Sequence, residues 1–113
     1  MIDRAFALQL LEDIGPAGMR AVARAFRADL ARLLAVLEQT QAAGDAQGFK
    51  RAAHGLAGAA GAIGATDLDR ACRAAMAAAT PATLPGLLAE IQARAASLER
   101  DVAQMLADLG LSG

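Results

Sequence analysis

The sequence has little of several residue types on which common functional sites depend. It contains one cysteine, one histidine, no tryptophan and no tyrosine in 113 residues. A single cysteine cannot form an internal disulfide, and one histidine does not provide the ligand cluster of a structural zinc or haem site. A metal site is therefore not expected.

Long apolar runs and strand patterns are also missing. No window approaches about 18 consecutive apolar residues without Arg, Asp or Glu, so a membrane-spanning helix is not expected, although the mean hydropathy is +0.34. Val, Ile and Thr are sparse and do not alternate with polar residues, which argues against a sheet. Met1–Arg4 lacks the start of a secretory signal, and the cytoplasm is the expected location.

The net charge of the chain is close to zero, but its charged residues are unevenly distributed along the sequence. The net charge is −1, which argues against a strongly basic protein that binds nucleic acid. Between Asp45 and Asp67 the chain has no acidic residue, and Lys50 and Arg51 are the cations of that stretch. A local positive patch is predicted there.

Alanine and leucine make up most of an apolar fraction of 56%, whereas aromatic residues contribute 3%, which is typical of helical proteins. Asp3 is the predicted cap of a short first helix, which Ile14–Pro16 ends. A longer second helix then extends to about Leu37. Asp45 is the expected N-cap of a third helix, and Gly64 is expected to end it.

Thr66 is the expected N-cap of a fourth helix, in which Cys72 is interpreted as a small core residue rather than a reactive thiol. The turn at Thr80–Pro85 separates it from a last helix with a near-heptad seam, interpreted as one wall of a bundle in a monomer. These elements predict an all-α fold: an antiparallel up-down-up-down four-helix bundle with a short additional N-terminal helix. Residues 1–113 form one predicted domain.

The histidine, His54, lies in the third predicted helix and on its polar side. At about 100° per residue, the apolar residues of this helix fall roughly 140° to 260° away from it. They are Phe49, Ala52, Ala53, Leu56, Ala59, Ala60 and Ile63. Within about 60° of the histidine are Gln47, Lys50, Arg51, Gly58, Gly61 and Ala65. The imidazole is therefore expected in solvent, with cations one turn before it and bare backbone after it.

Four glycines recur at every third position of this helix, although each costs a helix interior about 1 kcal/mol relative to alanine. Gly55 and Gly64 are interpreted as sites where neighbouring helices pack closely. Gly58 and Gly61, beside the histidine, are interpreted as positions that let a large partner reach it.

The run from Ala53 to Gly58, Ala-His-Gly-Leu-Ala-Gly, followed by Gly64-Ala65, Leu68 and Cys72, resembles the histidine phosphotransfer (HPt) domain family. The family signature is roughly Ala-His-x-Leu-Lys-Gly with Gly-Ala, Leu and often Cys at these spacings. Ala57 stands where the family usually has lysine.

The resemblance implies that His54 accepts a phosphoryl group from a receiver-domain aspartate and passes it to another. It implies receiver domains of response regulators and hybrid histidine kinases as partners, with Mg²⁺ held by those receivers, and neither kinase activity nor a cofactor in this chain. Lys50 and Arg51 are expected to stabilise the phosphoryl group and attract the acidic receiver. Gln47, Ala57, Gly58 and Gly61 complete the expected docking set. Lys50 is our candidate to take over part of the missing lysine's role.

Three alternatives stay open at this point. A degenerate HPt-like adaptor would bind receiver or kinase domains without carrying phosphate, and Ala57 favours that interpretation. A plain helical adaptor or dimerisation unit would use the seam of the last helix. An enzyme with a serine nucleophile is disfavoured, because Ser97 and Ser112 are far along the chain from His54.

Overall fold

Four α-helices account for most of residues 2–111, the part of the chain that this computed structural model describes. Helix α1 spans Arg4–Ala42, α2 Ala46–Ala62, α3 Thr66–Ala78 and α4 Leu84–Asp108, and no strand occurs in that range. Each helix packs against the next one in the chain, and α4 also packs against α1. The all-helical prediction is confirmed for the described residues.

The helices form a ring in which α2 and α4 lie at opposite corners. Along α1 and α2 the contacts follow opposite chain directions, because Thr40 lies beside Gly48 while Leu33, further back in α1, lies beside Gly55. Three-residue connections, as between α2 and α3, are typical of antiparallel neighbours. The up-down-up-down order of the whole ring stays a prediction.

The N-terminal region breaks where the sequence predicts the end of the first helix. The assigned element runs over Arg4–Ala42, but Gly15 has a φ of 73° and a ψ of 176°, which are not helical, so two helical stretches meet there at a kink. Pro16 can occupy the first position of the helical stretch that follows, so no loop is needed at the break. The Asp3 side chain caps the N-terminus by accepting a hydrogen bond from the Phe6 backbone N–H at 3.2 Å, as predicted.

The start of α1 also covers the end of α2. The backbone N–H of Asp3 donates to the Gly64 carbonyl oxygen at 3.1 Å, and the Phe6 ring lies against Gly64. Residues Ile2, Ala7 and Leu8 border a cleft with the end of α4. This first stretch therefore closes one end of the bundle.

Helix α2 has the predicted ends, and the turn after it differs from the prediction. Asp45 accepts a hydrogen bond from the Gly48 backbone N–H at 2.9 Å, and Gly64 adopts a φ of 74° just beyond the helix. The cap position of α3 is Ala65, not Thr66, and it has no side-chain capping bond. Ala65, expected on the outward face, is 1% exposed, because the chain reverses at Gly64 and carries it into the core.

The core is built from apolar side chains of all four helices. Phe49, Leu30, Leu56, Ile91 and Leu98 are among its largest fully buried members, and no polar or charged residue of the described part is buried. Cys72 is buried with them, and burial raises the pKa of its thiol to about 12, with a further contribution from the charge of Asp69. The prediction of a core cysteine is confirmed. No helix in the range 2–111 is long and apolar enough to cross a membrane.

Candidate functional site

His54 stands on the outward side of α2, opposite the face that enters the core. Phe49, Ala53, Leu56 and Ala60 are fully buried on that inner face, whereas His54 is exposed. The Asp45 cap and the 3.6-residue period fix the rotation of the helix, because its apolar stripe must face the other helices. The imidazole is therefore accessible to a partner from outside the bundle.

Two cations precede His54 by about one helical turn. Arg51 is exposed and Lys50 is half-buried, and neither forms an ion pair with any residue in the described range. Gln47 is also exposed, one further turn back. Since no acidic residue lies between Asp45 and Asp67, this end of the outward face carries positive charge that no neighbour on α2 neutralises.

The backbone after His54 is open at the two positions that were expected to be open. A methyl group at Gly58 would meet no other atom within 4 Å, and one at Gly61 would meet only an Asp69 carboxylate oxygen at 3.9 Å. Any side chain larger than glycine at these positions would project toward an approaching partner. The space beside the histidine is therefore kept clear by the absence of side chains.

The other two glycines of the series play different roles. A methyl group at Gly64 would lie 2.7 Å from a Phe6 ring carbon, and the positive φ also favours glycine, so the close-packing interpretation is confirmed there. At Gly55 the nearest atoms are Leu33 methyl carbons at 3.5 and 3.6 Å, which is ordinary contact. Close packing does not require glycine at position 55, and that interpretation is wrong.

Ala57 does not lie on the outward surface with the other predicted docking residues. Its exposed fraction is 3%, so the methyl group is part of the core rather than a contact for a partner. A lysine at this position would extend its ammonium group to the surface along an apolar stem, but an alanine has no such reach. The expectation that Ala57 contributes to docking is therefore wrong, and the outward face has no cation at this level of α2.

An acidic and a basic residue of α3 lie next to this face and were not among the predicted site residues. The Asp69 carboxylate approaches Gly61, and its Oδ1 accepts a hydrogen bond from Arg73 Nε at 2.7 Å. Their spacing of four residues predicts a helical ion pair, but the sequence alone interprets Asp69 only as an acid in the first turn of α3. Which helix the pair faces depends on the packing of α3 against α2.

The site is thus an exposed histidine on a helical bundle, with cations on one side and open backbone on the other. The sequence model of the Hpt domain matches residues 21–110, which is most of the chain and includes His54. The chain belongs to the Hpt domain family, whose members are phosphotransfer modules of two-component signalling rather than kinases. No curated protein and no solved structure matches the chain significantly.

Proposed function

We propose that His54 is the phosphoryl acceptor of a two-component phosphorelay, receiving the group from one receiver-domain aspartate and giving it to another. The observation that carries this proposal is the exposed position of His54 on α2, inside the family match and beside the open backbone of Gly58 and Gly61. In-line transfer requires the two side chains to meet directly, so clear space around the imidazole is what the reaction needs.

Phosphoryl transfer requires little of this chain beyond the accessible position of His54. The lone pair of an imidazole nitrogen forms a bond to phosphorus while the bond from phosphorus to the aspartate oxygen breaks, and the carboxylate leaves with that electron pair. The imidazole proton is lost to solvent as the phosphoimidazole forms. The reverse reaction, with the carboxylate of a second receiver as nucleophile, restores His54. Any Mg²⁺ is supplied by the receiver, so this chain needs no cofactor.

Lys50 and Arg51 are the residues we assign to the charge of the phosphoryl group and of the receiver. They lie one turn before His54 on the outward half of α2 and have no competing ion pair in the described range. Lys50 is half-buried, which restricts the path of its stem and favours a defined position for its ammonium group. We assign to Lys50 part of the role that the family's lysine would have at position 57, and to Gln47 an outer docking contact.

A degenerate adaptor is the second candidate, and the feature that favours it is Ala57 in place of the family's usual lysine. Without a cation beside His54 at that level, the chain could bind receiver or kinase domains without carrying phosphate. The two candidate functions use the same docking surface and differ in whether His54 forms a bond to phosphorus. Both are compatible with a monomer in the cytoplasm, which we retain as part of the proposal.

The experiment that separates them is incubation of the full chain with a panel of phosphorylated receiver domains and active hybrid kinases. Base-stable, acid-labile phosphate on the wild type, absent from His54→Gln, is the expected result. Circular dichroism of the variant checks that the fold is unchanged. Receiver binding without any label on the wild type would contradict the relay and favour the adaptor.

A further inference from the structure

The groove between α2 and α3 holds an ion pair, Asp69 and Arg73, whose two side chains differ in exposure. Asp69 Oδ1 accepts a hydrogen bond from Arg73 Nε at 2.7 Å, while Asp69 Oδ2 lies 3.9 Å from the position of a methyl group at Gly61. The Asp69 side chain is 25% exposed and the Arg73 side chain 71% exposed. The carboxylate is thus held in the groove, and the guanidinium extends from it into solvent.

The guanidinium of Arg73 is fixed at one nitrogen and open at the other two. Its bond to Asp69 uses Nε, and its terminal nitrogens bind no group in residues 2–111. Arg94 on α4 is engaged differently, since its Nε and one terminal nitrogen both lie 2.9 Å from Glu90 Oε1. A guanidinium held through Nε keeps a defined plane and presents two NH₂ groups, the fork that binds a carboxylate with two hydrogen bonds.

The position of this fork falls inside the area that a partner docked on His54 would cover. Gly61 is two turns after His54 on the same face of α2, roughly 10 Å along the helix axis. A standard protein interface covers about 800 Å² on each partner, which corresponds to a patch of roughly 16 Å radius. A receiver centred on His54 therefore reaches Gly61, the Asp69 carboxylate beside it and the Arg73 guanidinium bound to that carboxylate.

The distribution of charge along the outward face of α2 also favours a role for Arg73 in docking. Lys50 and Arg51 lie before His54, and Ala57 leaves no cation on α2 after it. We propose that Arg73, oriented by Asp69, binds a surface carboxylate of the receiver domain that docks on His54. This inference rests on the proposed interaction with receivers, and it adds a docking residue from α3 at the end of the face where α2 supplies none.

The test measures binding of a purified receiver domain to the full chain, with the receiver unphosphorylated and with its beryllofluoride adduct. Arg73→Ala should weaken binding of both forms about fivefold at low salt, and the loss should shrink as salt screens the pair. Arg73→Lys should recover part of the affinity, because a single ammonium replaces the fork. Asp69→Asn, which keeps the size but weakens the anchor, should give an intermediate loss.

The matched control is Arg94→Ala, which removes an arginine from a similar pair, four residues apart, on α4, the helix that lies across the ring from α2. It should leave receiver affinity unchanged, and thermal melts should show that all variants are folded. Equal affinity of Arg73→Ala and wild type would overturn the inference, as would an equal loss in Arg94→Ala. A loss confined to the beryllofluoride form would also overturn it, since the contact would then be to the phosphoryl position. If no receiver labels His54 but one binds, the relay fails, and this binding series still decides the role of Arg73.

Discussion

At the scale of single residues, the proposed site combines an exposed histidine with neighbours that carry charge or lack a side chain. His54 is exposed, Lys50 and Arg51 supply charge, and Gly58 leaves open space. Cys72, the other potential nucleophile, is removed from solvent by the core. The chain therefore offers a partner one accessible nucleophile on this face, and each neighbour's role predicts a distinct effect of substitution.

Lys50→Ala should shorten the lifetime of phosphohistidine by several-fold and leave receiver affinity less affected. The reason is that an ammonium group close to the phosphoryl group stabilises its charge, whereas docking is spread over a wider face. The measurement is loss of label over time from the isolated phosphorylated chain. An unchanged lifetime would show that Lys50 does not compensate for Ala57.

Gly58→Leu should slow phosphotransfer by more than about tenfold, since a branched side chain would stand in the space that the partner's active site must enter. No atom lies within 4 Å of a methyl group at this position, so the variant should fold normally. Stopped-flow or quench measurements of transfer, with Gly58→Ala as the smaller control, provide the check. Normal transfer in Gly58→Leu would contradict the docking role of this surface.

The raised pKa of the Cys72 thiol predicts how the free energy of unfolding depends on pH. Its pKa is raised from 9.0 to about 12 in the folded chain, so the unfolded thiol loses its proton first as pH rises. The stability contributed by the neutral thiol is complete below about pH 9 and falls as pH rises toward 12. Urea unfolding of wild type and Cys72→Ala between pH 8 and pH 10 should show a steeper decline in the wild type. Parallel declines would contradict the raised pKa.

At the scale of elements, helix ends decide where the site lies along the bundle. The Asp45 cap starts α2 nine residues before His54, and Gly64 turns the chain immediately after the helix. The Phe6 ring packs on that turn, so α1 reinforces the end of α2. These ends fix where α2 begins and stops, and its buried apolar stripe keeps His54 outward.

Gly64→Ala should destabilise the chain by about 2 kcal/mol, because a positive φ is costly for alanine and the new methyl group would press on the Phe6 ring. Gly58→Ala is the matched control at a helical position with open space, and it should raise stability by about 0.5–1 kcal/mol. Chemical denaturation of both variants gives the two free energies of unfolding. Equal changes in the two variants would show that the turn is not constrained as the structure indicates.

At the scale of the whole molecule, the helices bury their apolar stripes against one another, and the outward face of α2 with His54 stays exposed. The near-heptad seam of α4 is buried inside the bundle, as Ile91, Leu98 and Val102 show. It therefore serves as a wall of the core, as the sequence predicts, and is not available for a coiled coil. This argues against the alternative in which the last helix makes a dimer.

The chain should therefore sediment as a monomer near 11.5 kDa at micromolar concentration. Analytical ultracentrifugation of the wild type over a range of concentrations makes the measurement. A stable dimer at these concentrations would require another surface, and receiver titrations of that dimer would then show whether His54 is still accessible.

The sequence by itself determined the helical class, most helix ends and the outward direction of His54, because caps and the 3.6-residue period act within a few neighbouring residues. It could not determine that Ala57 is buried or that Ala65 turns into the core. It also could not bring Asp69 and Arg73 of α3 beside Gly61. Those features depend on which helix packs against each face, and only the tertiary structure decides that.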